Sequence, residues 1–175
     1  MTPAGHLAGG YLVGTAITQL IPEVRPFSHL VIGATMAGSV FPDIDLMYHL
    51  FVKQRRLRIE YNSIYHRAYP THAPSVYGAG FLALLPQLAI GQTSTFIAAL
   101  AFFAGILLHF LQDSFGVGPG IRWLWPLKRR FMRAPNVYQA DGSFRKNVFI
   151  PPSKYLSHWL CWTEAALVAV AVFVH

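Results

Sequence analysis

His109 and Asp113 stand four residues apart at the end of a long apolar run, Ala101–Phe115. If that run is a helix, both side chains leave one face, one turn apart. An imidazole and a carboxylate so placed can share a metal ion. Pro42-Asp43-Ile44-Asp45 offers two further carboxylates behind a proline. Both can reach inward only from a non-helical turn, where one binds metal and the other acts as general base or orients a histidine. His66 and His72 are separated by Pro70 and cannot share a helical face, so a loop has to bring them in. His6, at the start of the first apolar run, completes the candidate ligands His6, Asp43, Asp45, His66, His72, His109 and Asp113. Arg67 is a candidate partner for a substrate phosphate. Nitrogen and carboxylate donors suit Zn²⁺, with Mn²⁺ or Fe²⁺ as alternatives in a carboxylate-rich set. Such an ion brings the pKa of a bound water down to about 7 and polarises a phosphoryl oxygen.

Five apolar runs have to position these residues. The first is Pro3–Ile21, with Pro3 suited to a first helical turn and Pro22 ending it. The second is Ser28–Phe41, with Ser28 as the expected N-cap; as a helix it rises only about 21 Å, less than a hydrocarbon core of ~30 Å. The third is Ala73–Ile90, with a kink expected at Pro86. The fourth is Thr95–Leu111, and Gly116, Gly118, Pro119 and Gly120 break it. The fifth is Tyr155–Val174, which carries His158 and Glu164 as candidates for a supporting role.

Only 12% of the 175 residues are charged, 54% are hydrophobic, and the mean hydropathy is +0.39. An ordinary soluble domain carries roughly 25% charged residues. Composition and run length together point to one all-α domain, residues 1–175, built as a multi-spanning membrane bundle of about five helices. Cys161 is the only cysteine, which excludes an intramolecular disulfide and a cysteine metal site. The N-terminus lacks the basic segment of a signal peptide, so the first run is expected to stay in the mature protein.

The net charge of +7 has a strongly one-sided distribution. Lys53, Arg55, Arg56, Arg58 and Arg67 lie between runs two and three. Arg122, Lys128, Arg129, Arg130, Arg133, Arg145, Lys146 and Lys154 lie between runs four and five. If all five runs span, both groups share one face, and only Arg25 lies on the other. The positive-inside rule makes the basic face and the N-terminus cytoplasmic. His6, Asp43, Asp45, His66, His72, His109, Asp113 and His158 all fall toward that face. Ionisable groups at the edge of hydrocarbon are costly and tend to be functional. The segment Ile121–Arg133 interleaves Trp123, Trp125 and Phe131 with cations, a composition suited to anionic head groups. Nothing in it matches a nucleic-acid motif, and no nucleic-acid partner is expected.

These motifs, in this order, resemble a family of bacterial inner-membrane proteins described as LexA-regulated, membrane-bound, predicted metal-dependent hydrolases. The resemblance rests on Gly5-His6, Pro42–Asp45, the His-Arg…Thr-His segment His66–His72, His-x-x-x-Asp at His109–Asp113, and Leu124-Trp125-Pro126. The family is distantly similar to the all-helical zinc-dependent phospholipases C and related nucleases. That similarity implies a phospholipase C-like helical core and phosphoester hydrolysis. It also implies His6, an aspartate of the Pro-Asp motif, His66 or His72, His109 and Asp113 as ligands. The His66–His72 segment has one residue more than the family pattern and lacks its glycine and final serine. No His-x-x-x-Glu follows, so one or two ions are expected rather than three.

The expected function is therefore metal-dependent hydrolysis of a lipid phosphoester at the cytoplasmic face of the inner membrane. Arg67 and the loop cations would hold the head group. A non-enzymatic metal-binding or transport protein is the alternative, and it predicts ionisable residues at mid-membrane, where only Glu164 fits. A soluble helical phosphoesterase is the third reading and requires its apolar helices to be buried.

Overall fold

Thr2 starts the first helix, α1 (Pro3–Leu20): its hydroxyl accepts the Gly5 N–H at 3.3 Å, and Pro3 fits the first turn. The computed structural model describes residues 2–45, 70–115, 120–127 and 159–174. A 3₁₀ turn at Pro22–Phe27 leads into α2 (Ser28–Val40), and a second at Phe41–Asp43 follows it. A third, Pro70–His72, precedes α3 (Pro74–Ile90). The remaining helices are α4 (Thr93–Phe115) and α5 (Trp159–Phe173). All regular structure among the described residues is helical.

The run boundaries fall close to their expected places, with one difference. Ser28 is the first residue of α2, not its cap, because the preceding 3₁₀ turn runs straight into the helix, with the Ser28 N–H bonded to the Arg25 carbonyl. The helix α3 ends at Ile90, as expected, with Pro86 inside it.

At the centre lies α2, packed against α1 on one side and α4 on the other. Small residues set these distances. A Cβ at Gly14 would stand 2.8 Å from the Ile32 Cα of α2. Across the other contact, Gly38 lies against the Phe102 backbone, and a Cβ at Gly105 would stand 2.8 Å from the Ser39 nitrogen. Backbones that approach this closely gain dispersion contacts that bulkier residues would forbid. The buried hydroxyls in these seams bond their own helices: Thr35 donates to the Val31 carbonyl at 2.7 Å and Ser39 to the Met36 carbonyl at 2.7 Å. These two hydroxyls are thereby satisfied without a partner from the neighbouring helix.

Apolar packing concentrates at one end of α4. Ile106 and Phe110 meet Ile121, with Tyr77, Phe102, Phe103 and Trp123 around them. The Trp123 indole donates to Ser114 Oγ at 2.8 Å and fastens the 120–127 segment to α4. Trp123 is half-buried: its N–H bonds the protein while its ring packs edge-on against Phe110.

Of the described helices, α4 alone is long and apolar enough to cross a membrane: its 23 residues rise about 35 Å. Leu20, Leu82, Ile90, Leu107 and Phe173 point outward and are more than half exposed. Apolar faces of this extent require a cover.

The glycine seam makes a direct prediction. Gly38→Val should destabilise the protein by about 1–3 kcal/mol through overpacking against α4. Gly33→Ala, where nothing lies within 4 Å, should be neutral or stabilising by about 0.5–1 kcal/mol. Thermal unfolding of the two variants in one detergent checks the contrast.

Candidate metal centre

The chain ends of four helices meet at one corner of the bundle. His6 lies in the first turns of α1, and Asp43 closes the 3₁₀ turn after α2. His72 closes the 3₁₀ turn before α3, and His109 and Asp113 occupy the last turns of α4. Asp43 is 14% exposed and Asp113 1%; the three histidines are fully buried.

Each histidine has its Nδ1 engaged by a protein acceptor. His109 Nδ1 lies 2.8 Å from the Ser39 carbonyl, which can only accept, so this nitrogen carries the proton. His72 Nδ1 lies 2.6 Å from Asp45 Oδ2, and His6 Nδ1 lies 2.7 Å from Gln112 Oε1. Thr71 Oγ1 also donates to Asp45 Oδ2. In their neutral forms all three rings therefore present a bare Nε2 lone pair to the interior.

Those lone pairs converge. His109 Nε2 is 3.4 Å from His72 Nε2 and 3.6 Å from Asp113 Oδ2. Asp43 Oδ1 is 3.6 Å from His72 Nε2 and 3.8 Å from His109 Nε2. His6 Nε2 is 3.3 Å from Asp113 Oδ1, and its ring stacks on His109 at 4.0 Å. Two overlapping triads result, His6–His109–Asp113 and Asp43–His72–His109. Acceptor faces acceptor throughout, an arrangement that repels itself unless a proton or a cation sits between the groups. Four donors around a Zn²⁺ at ~2.0–2.1 Å stand about 3.3–3.4 Å apart. The observed separations lie at or slightly above that spacing. His6 Nε2 is buried with no hydrogen-bond partner among the described residues. Donor chemistry, spacing and the orphaned nitrogen all fit a divalent cation.

Electrostatics agree for the two members in the turns. Burial alone would raise the Asp43 pKa; the facing His72, with His109 and His6, outweighs it and holds the carboxyl below its usual 3.8. Burial alone would lower the His72 pKa; Asp43 and Asp45 outweigh it and hold the imidazole above its usual 6.5.

Five of the expected ligands thus come together: His6, Asp43, His72, His109 and Asp113. Asp45 stands behind His72 rather than among the converging donors. Asp43 ends the 3₁₀ turn and Asp45 lies just beyond it, so the two point differently and Asp45 bonds the imidazole from its far side. His66 and Arg67 lie outside the described residues, as do His158 and most of the basic loops. Glu164 accepts hydrogen bonds from Thr2 rather than lining a path. Sequence reasoning missed Gln112, Thr71 and Thr2. Gln112 carried a signal, being a lone amide in an apolar helix between His109 and Asp113. The Ser39 carbonyl had none, because any residue supplies one.

The partners behind the rings should control metal affinity. Asp45→Asn and Gln112→Ala should each weaken Zn²⁺ binding roughly 10–100-fold, as changes behind a ligating histidine do. Competition with a chromophoric chelator measures it. Zinc must displace the proton that His72 holds more tightly than usual, so affinity should rise with pH through 6.5 and above, and fall on acidification.

One family model, described as YdjM inner membrane protein, matches residues 1–175. No curated protein and no solved structure matches the chain significantly.

Proposed function

The chain belongs to the YdjM inner membrane protein family, whose members are bacterial inner-membrane proteins, and on that premise we propose that it is a metal-dependent hydrolase acting on a phosphoester of a membrane lipid. The observation that carries this reading is the convergence of three anchored, buried imidazoles and two carboxylates at one end of apolar helices. Asp43, His72 and His109 would hold one ion, most readily Zn²⁺; His6 and Asp113, which form the second triad with His109, would hold a second. The bound ion supplies an acidified water and a Lewis acid for the phosphoryl oxygen.

The chain's own residues do the remaining work. Ser39, Asp45 and Gln112 fix the three ring orientations, so the donors need no rearrangement to bind. Asp43 is the most accessible of the donors and is held ionised. It is the group suited to orient an incoming water and take its proton. Arg67 is assigned the substrate phosphate.

We further read the bundle as multi-spanning. The outward apolar faces of α1, α3 and α5 support this beside the spanning length of α4. The asymmetry of Lys and Arg supports a cytoplasmic N-terminus and a site at the cytoplasmic face. A lipid head group would then reach Asp43 by lateral diffusion, and anionic head groups would be favoured by the loop cations.

Protein purified from membranes in detergent should contain about one or two zinc ions per chain by elemental analysis. It should release a phosphorylated head group from at least one lipid in a mixed panel. Chelator should abolish the release and added Zn²⁺ restore it. His109→Ala should lose more zinc affinity than the ~10–100-fold of an outer-sphere change. A folded wild type with no tightly bound transition metal, or hydrolysis indifferent to chelator, contradicts the proposal.

A further inference from the structure

Glu164 is 6% exposed and belongs to α5, a helix otherwise nearly free of polar residues. A carboxylate in that setting is costly unless hydrogen bonds offset its desolvation. Both of its oxygens are engaged by a single residue 162 positions away in sequence. Thr2 N–H donates to Oε1 at 2.7 Å, and Thr2 Oγ1 donates to Oε2 at 2.6 Å.

Thr2 is the N-cap of α1, and each of its remaining polar atoms serves the first turn. Oγ1 accepts the Gly5 N–H at 3.3 Å, and the Thr2 carbonyl accepts the His6 N–H at 3.1 Å. In an ordinary capping box, an acid at the third helical position reaches back to the cap N–H. Here that position is Gly5, and the first turn has no acidic residue. Glu164 makes the missing bond from another helix and brings a negative charge to the positive end of the α1 dipole.

We propose that Glu164 is a positioning residue for the candidate metal centre: it completes the cap of α1 in trans, and the cap fixes the backbone from which His6 projects. The assignment rests on the metal-centre reading. It separates two devices acting on one histidine. Gln112 turns the ring through its Nδ1, and Glu164 holds the turn that carries the ring. α4 reaches the His6 ring directly and α5 reaches its backbone through Thr2, so α5 acts on the centre without contributing a donor to it.

A double-mutant cycle on zinc affinity tests this in the full-length protein, with Zn²⁺ as the probe and a competing chelator as the readout. Glu164→Leu should weaken binding about 10-fold, the lower end of outer-sphere effects. Glu164→Gln keeps the shape and both bonds, with one reversed in polarity, and should recover most of that loss. In a His6→Ala background, Glu164→Leu should add nothing, because its effect passes through His6. Thr2→Val leaves α5 intact and should reproduce the loss if Glu164→Leu fails to fold. An unchanged affinity in the single variants, or the same loss with and without His6, overturns the positioning role and leaves the metal centre standing. A wild type that binds no zinc overturns the metal centre and the positioning role with it. Faster amide exchange at Gly5 and His6 in metal-free Thr2→Val would then show the cap alone.

Discussion

Two triads of acceptors that share His109, with neighbouring atoms 3.3–3.8 Å apart, are the constraint on which the rest of the structure depends. With each Nδ1 bonded to a protein acceptor, the neutral form of each imidazole turns its lone pair inward, and the two carboxylates meet them with further lone pairs. In a buried volume such an array is unfavourable by itself. Two carboxylates and three neutral imidazoles carry two negative charges, the complement of one divalent cation. The same groups with a proton between His72 and Asp43 form the alternative closed state, and the shifts of those two groups run in that direction. A proton and a metal ion would therefore compete for the same groups.

The cage depends on helix packing some distance away. His109 reaches the Ser39 carbonyl only because α2 and α4 approach closely at Gly38 and Gly105. A wider seam would leave His109 Nδ1 without its acceptor and free the ring to choose the other tautomer. The apolar cluster of Ile106, Phe110 and Ile121 backs the same turn of α4. Phe110 lies edge-on to both His72 and His109. Packing, tautomer and donor direction are thus one chain of cause.

Much of this was legible in the sequence, for identifiable reasons. Pro3 and Pro22 placed the ends of α1, and the apolar runs placed α2, α3 and α4 within a few residues. The four-residue spacing of His109 and Asp113 survives directly because a helix fixes it. The division of labour between Asp43 and Asp45 was not legible, since it depends on where the 3₁₀ turn gives way to helix between them. Ser28 looked like a cap because the preceding 3₁₀ turn, which runs straight into the helix, leaves no mark in composition. Gln112 and the Thr2–Glu164 pairing join residues more than a hundred positions apart, and local pattern carries no information at that range.

X-ray absorption at the zinc edge of the loaded, detergent-purified protein tests the central claim most directly. The account predicts first-sphere nitrogen and oxygen at about 2.0–2.1 Å, with the outer-shell signature of two or three imidazoles and no sulfur. A sphere of oxygen alone, or one containing the Cys161 sulfur at about 2.3 Å, would contradict it.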